Sequence, residues 1–161
     1  MVASYQPPQR NATVPSKLQQ ELLKPSDFCY QVNLADGTAT VEAILIVDPF
    51  VRKRQDVERA VKNGIVQPDV AKDTALVSVI ERYGINGNQS RGFLHGWSIK
   101  RGAIATSASP DDNNLVVSGV NTDDMALAAN TLIECGGGQV VVVDGKVVAL
   151  LELPIGGITT D

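Results

Sequence analysis

The stretch Leu115–Leu153 reads LVVSGVNTDDMALAANTLIECGGGQVVVVDGKVVALLEL, and it decides the fold class. Leu115-Val116-Val117-Ser118-Gly119-Val120 has strand composition. Asn121 or Thr122 then supplies a helix cap, and the acids Asp123 and Asp124 face the positive end of a helix through Asp123–Cys135. Met125, Ala128, Ala129 and Leu132 recur at helical spacing and give that helix an apolar side. Gly136 suits the left-handed residue that terminates it. Gln139–Val143 and Lys146–Leu153 form a hairpin around Asp144-Gly145, a turn pair that accepts positive φ. Strand, helix and hairpin in this order predict an α+β domain with a largely antiparallel or mixed sheet and packed helices.

Upstream of this stretch, Thr74–Glu81 reads as a strand, followed by the glycine-bearing loop Tyr83–Asn88. Gly92–Ile99 has short-strand character. Phe28–Leu34 and Thr38–Val47 flank Ala35-Asp36-Gly37, which predicts a hairpin. In the second of these strands Ile44 and Ile46 oppose Ala43 and Leu45, so its end is expected to be buried on both sides. Arg52–Lys62 is strongly charged and reads as an exposed helical turn or loop, and Val66–Asp69 as a break. Residues 1–26 read as a flexible leader or interdomain linker: Pro7 and Pro8 sit in a polar run, Pro15 opens a short helix through Ser16–Leu23, and Pro25 ends it. Residues 27–161 form the domain. Its last segment, Pro154–Asp161, reads as a connection, so the domain is expected to be incomplete at its C-terminus.

Composition limits the chemistry. The chain has 161 residues, 43% of them hydrophobic but only 4% aromatic, so the core is expected to be aliphatic. Fourteen Lys and Arg against eighteen Asp and Glu give a formal charge of −4, which argues against a nucleic-acid partner. One His and two Cys exclude a two-metal hydrolase site or a structural zinc site within this chain. Cys29 and Cys135 are far apart and read as buried free thiols. With no signal-peptide core and no apolar run of membrane-spanning length, the reading is a cytoplasmic protein without a membrane partner.

Three groups have chemical potential. Lys100-Arg101-Gly102 places two cations beside a glycine, a grip for an anion or for the carboxylates of another domain; the alternative is a solvated strand end with a tight turn. Ser109–Asn114 is a polar loop whose adjacent carboxylates can bind a cation, or simply turn the chain. His95 can serve as an acid or base, though its alternation with Trp97 favours packing or a structural hydrogen bond. Glu81-Arg82-Tyr83 suggests an ion pair at a strand end. Gly136-Gly137-Gly138 follows a helix and precedes a strand, which fits a reversal rather than a phosphate cradle.

A set of ordered motifs resembles the C-terminal domain of adenine deaminases. They are Ile80-Glu81-Arg82-Tyr83-Gly84, Gly92-Phe93, Gly96 to Ala105, Asn121 to Ala126, Gly136-Gly137-Gly138, Asp144 to Ala149 and Leu153 to Gly157. The resemblance implies a parent enzyme of the amidohydrolase class that converts adenine and water to hypoxanthine and ammonia. In that family a TIM-like barrel binds divalent iron, manganese or a related metal. This chain would then be a non-metal-binding accessory domain with no cofactor of its own, partnered by the barrel in cis or in trans and expected to form a homo-oligomer. The family also continues past the segment resembling Leu153–Asp161 with helical sequence. Where it has the loop His-Asp-Ser-His-Asn, this chain has Pro110-Asp111-Asp112-Asn113-Asn114, and its usual lysine before glycine is His95. The resemblance makes Lys100, Arg101, Asp111, Asn114 and His95 the candidates for a domain junction or a substrate-proximal edge. The competing reading is a stand-alone, non-catalytic oligomerisation or interaction module derived from that family.

Overall fold

Period-two alternation dominates the chain, and a computed structural model, which describes residues 18, 20–48, 50–110 and 112–160, arranges it as one mixed sheet. Its ten strands are β1 (Tyr30–Gln31), β2 (Gly37–Ile46), β3 (Arg52–Lys62), β4 (Ile65–Val66), β5 (Thr74–Ile80), β6 (Gln89–His95), β7 (Ala103–Thr106), β8 (Leu115–Gly119), β9 (Gly138–Val143) and β10 (Lys146–Glu152). Their spatial order is β1-β4-β3-β2-β6-β5-β8-β7-β9-β10. Every pairing is antiparallel except β2 with β6, where Ala43, Ile44 and Leu45 lie beside Phe93, Leu94 and His95. The sheet is open, and the α+β class expected from sequence is the class observed.

A single α-helix among the described residues, α1 (Thr122–Cys135), covers one face. Asn121 caps it through its side-chain oxygen, which accepts from the backbone N–H of Asp123 and Asp124 at 2.8 and 3.3 Å. Gly136 ends it in the left-handed region at φ 88°. Below it Leu76, Ile80, Phe93, Ala103, Ala105, Leu115, Val117, Val140 and Val142 are buried with Met125, Ala128, Ala129 and Leu132. This core is aliphatic apart from Phe28 and Phe93. Substituting Asn121→Ala should lower stability by about 1 kcal/mol, the usual worth of such a cap. In a chain of this size that moves the thermal midpoint by roughly 2–4 °C; an unchanged melt would deny the cap its role.

Several expectations are corrected. Arg52–Lys62 is neither helix nor loop but the longest strand. Arg52, Arg54, Asp56, Glu58 and Lys62 occupy the outward row, while Val57, Arg59 and Val61 point inward and are buried. The inward Arg59, paired with Asp69 at 3.2 Å, masks the alternation. Nor do the two strands flanking Ala35-Asp36-Gly37 form a hairpin: β1 pairs with β4, and β2 with β3. The tight turn is Asn63-Gly64, at φ 51° and 78°, which joins β3 to β4 in the conformation that Asn-Gly favours. Ala35 and Asp36 brace that turn from outside, accepting from Gly64 N and Asn63 N.

The helix expected over Ser16–Leu23 falls partly outside the described residues; those described at 20–24 carry no helix, and Pro25 begins a 3-10 turn, Pro25–Phe28, rather than ending a helix. This segment is strapped onto α1. Asn130 accepts from Leu23 N at 2.8 Å and donates to Leu23 O at 2.9 Å, and Leu18 is buried. The strand expected at Gly92–Ile99 lies instead at Gln89–His95, because Gly96 and Ser98 take positive φ and their N–H groups turn to Asp73. Both cysteines are free and half-buried rather than fully buried. No helix among the described residues is long and apolar enough to cross a membrane.

Candidate functional site

Strand direction separates the candidate residues into two groups. At one end of the sheet, β6 terminates in His95 and β7 is about to begin. His95 Nδ1 lies 3.0 Å from Gln55 Oε1, the structural hydrogen bond that strand alternation favoured. Lys100 Nζ is 3.8 Å from Asp73 Oδ1, and Arg101 Nε donates to Asp144 Oδ1 at 3.0 Å while its Nη2 pairs with Oδ2 of the same carboxylate. Lys100 and Arg101 are largely exposed, so these are screened surface pairs rather than a desolvated anion grip. Gly102 follows at φ 74° and makes the turn into β7.

Asn114 lies at the opposite end, just before β8. Its Oδ1 accepts from Arg82 N at 3.2 Å, and Asp112 holds its backbone N–H and side-chain amide at 3.1 and 2.9 Å. The intervening β5 is seven residues long, about 20 Å of strand at 3.3 Å per residue. The two groups cannot touch one small molecule. Asp111 lies outside the described residues. Among the described residues no group of three His, Cys, Asp or Glu side chains can hold a metal ion, so the divalent metal implied by resemblance finds no ligand set in them.

Beside Asn114 is a buried node that sequence reasoning missed. Glu81 does not pair with Arg82; its carboxylate accepts from the backbone N–H of Tyr83 and Ile85. The Arg82 side chain, 2% exposed, turns inward, donating to the carbonyls of Asn113 at 2.7 Å and of Gly156. Ser107 Oγ accepts from Gly138 N at 2.7 Å and donates to Gly157 O at 2.5 Å. The node ties the loop before β8, the end of α1 and the last described segment together. The signal for it was Gly137 and Gly157, since a Cβ on Gly137 would fall inside contact distance of Gly157 Cα and of Ser107 Oγ.

A broad concavity lies on the sheet face opposite α1. Two cross-strand rows run from β6 to β10: Gly92, Val77, Ser118, Ile104, Val141 and Ala149, then Ser90, Val79, Val116, Thr106, Gln139 and Leu151. Apart from Gly92 and Ser90, these residues line an open hollow of about 720 Å³ together with Ile44, Ile46 and Leu94. Ile44, expected to be buried, is 45% exposed because nothing described covers this side. On β3 the same face turns charged: Arg52, Arg54 and Asp56 lie opposite Ile46, Ile44 and Glu42, and Arg54 pairs with Glu42 at 2.9 Å.

Residues 49–161 match the adenine deaminase C-terminal domain family. The chain is 52% identical over 158 residues to adenine deaminase 1 of Latilactobacillus sakei subsp. sakei (strain 23K), covering 98% of this chain and 27% of that protein. It is 49% identical over 154 residues to adenine deaminase 1 of Desulfotalea psychrophila (strain LSv54 / DSM 12343), covering 96% of this chain and 26% of the relative. It is 40% identical over 163 residues to adenine deaminase 4 of Rhizobium meliloti (strain 1021), again 27% of that protein. The chain thus spans about a quarter of the length of these curated relatives. With motifs, fold and relatives in agreement, the chain belongs to the adenine deaminase C-terminal domain family.

Proposed function

We propose that this chain is the accessory, non-metal-binding part of a cytoplasmic adenine deaminase, an enzyme that hydrolyses adenine to hypoxanthine and ammonia. The observation that carries the reading is coverage: nearly the whole chain matches about a quarter of each relative. The divalent iron or manganese and the water it activates belong to a TIM-like barrel in the remainder of the enzyme. Residues 1–26 act as the interdomain linker and 27–161 as the domain. Its strap, held by Asn130 and Leu18, fixes where the linker leaves α1. Lys100, Arg101 and His95 at one end, and Asp111 and Asn114 at the other, are separate junction candidates. Asn114 is the better placed to act beside the buried Arg82 node. A second reading, a stand-alone oligomerisation module, draws on the exposed apolar sheet face alone.

Purified chain supplied with iron, manganese or zinc at several pH values should release no ammonia and form no hypoxanthine from adenine. Turnover that survives repurification and is lost in His95→Ala or Asp111→Asn would overturn the accessory reading. Activity that appears only when the rest of the deaminase polypeptide and metal are added supports it.

A further inference from the structure

We propose that the open sheet face opposite α1 is the surface on which the remainder of the deaminase polypeptide docks, an inference that rests on the accessory reading above. The face is built like an interface: an aliphatic centre of Ile104, Val116, Val141 and Leu151, and a charged border at Arg54 and Glu42. From β6 to β10 it crosses six strands, roughly 24 Å at about 4.8 Å between neighbours. Val141 and Leu151 are 37% and 52% exposed in this chain, in a contiguous apolar area of a kind that marks interaction sites. The centre has no carboxylate, imidazole or ammonium; its polar side chains are Ser118, Thr106 and Gln139, scattered among a predominantly aliphatic lining, with Arg52 at the border. Its complement is therefore an aliphatic protein surface. About three quarters of each relative's length lies outside the matched region, so the polypeptide available to supply that surface is large. The opposite face is already occupied by α1 and the strap.

The test mixes the 161-residue chain with the remaining deaminase polypeptide, expressed separately, and measures association by sedimentation and adenine turnover. The variant Val141→Lys with Leu151→Lys places two charges where water now reaches, so the isolated chain should keep its fold, as checked by circular dichroism and melting. A complex would desolvate both charges, and association should weaken by about 100-fold or more. Glu58→Lys, on the charged strand of the same face, should weaken it less than about 3-fold. Should Val141→Lys alone already unfold the chain, Leu151→Lys, at the more exposed site, carries the comparison with an expected loss of about 10-fold. If wild type and the double variant bind equally well and restore turnover equally, the docking surface lies elsewhere while the accessory reading stands. If neither binds, and the remaining polypeptide deaminates adenine no faster with the chain present, both inferences fall. Self-association abolished by the double variant, with no binding to the remaining polypeptide, overturns this proposal in favour of a second copy.

Discussion

Replacing Gly102 by alanine is expected to cost about 4 kcal/mol, combining left-handed strain with a backbone clash. Gly102 sits at φ 74°, where a Cβ alone is unfavourable by about 1–2 kcal/mol. That Cβ would also lie well inside contact distance of the Val142 carbonyl oxygen and 3.1 Å from both Val142 C and Val143 Cα. These are backbone atoms of β9, held in register with β7 by the Ala103–Val142 pair, so no flexible side chain can swing aside. Gly145 offers the control. Its φ is 70°, yet an added Cβ there meets nothing within 4 Å. Gly145→Ala should therefore show only the conformational cost, and Gly102→Ala a thermal midpoint roughly 8–16 °C below wild type. Equal losses at the two positions would show that the close approach of β7 and β9 is not a constraint.

The second large effect is expected at Asp124. It stands in the first turn of α1, but its side chain does not simply face the helix end. It is 2% exposed and reaches the β9–β10 turn, accepting from Asp144 N at 3.1 Å and from Gly145 N at 2.7 Å. Asp124→Ala would leave two turn N–H groups without their charged acceptor, at a cost of about 3 kcal/mol. Asp124→Asn keeps one acceptor oxygen and should lose less. Asp123, exposed one residue earlier, contributes only to the helix end, and Asp123→Ala should cost no more than about 0.5 kcal/mol. Denaturant unfolding of the three variants reads the series directly; similar midpoints for Asp123→Ala and Asp124→Ala would remove the argument.

Asp124 also shows where sequence reading stops. The helix and the hairpin after it were legible because their signals are local: Asn121 at the cap, Gly136 at the end, Asp144-Gly145 at the turn. That one first-turn carboxylate spans from helix to hairpin is a tertiary fact, and the spacing of Asp123 and Asp124 does not distinguish them. Strand β3 was illegible for a different reason. Its inward row contains Arg59, buried and matched to Asp69, so a charge sits where the alternation needs an apolar residue. Asn63-Gly64 carried the hairpin signal that Ala35-Asp36-Gly37 was given. Among the site candidates, chemical type was readable but position was not. Lys100 and Asn114 are close in sequence, yet an antiparallel pair of strands carries them to opposite ends of the sheet.

The lone parallel pairing gives the domain a seam. On one side β1 to β4 form an antiparallel unit; on the other β5 to β10 form a second, and Ala43–Leu45 against Phe93–His95 is the strand ladder that joins them. Joining them closes a loop of about 50 residues, which by chain statistics costs roughly 3.5 kcal/mol of entropy. A three-residue ladder offsets little of that by itself; the core that runs from Val57 and Val66 to Leu76 and Met125, with Ala43, Phe93 and the Tyr30 ring 5.2 Å from that of Phe93 at the seam, supplies the rest. The two halves are thus coupled less by a long ladder than by a shared core and by side chains that cross the seam, His95 with Gln55 among them. Cooperativity between them rests on that shared core, of which the Tyr30–Phe93 contact is one part.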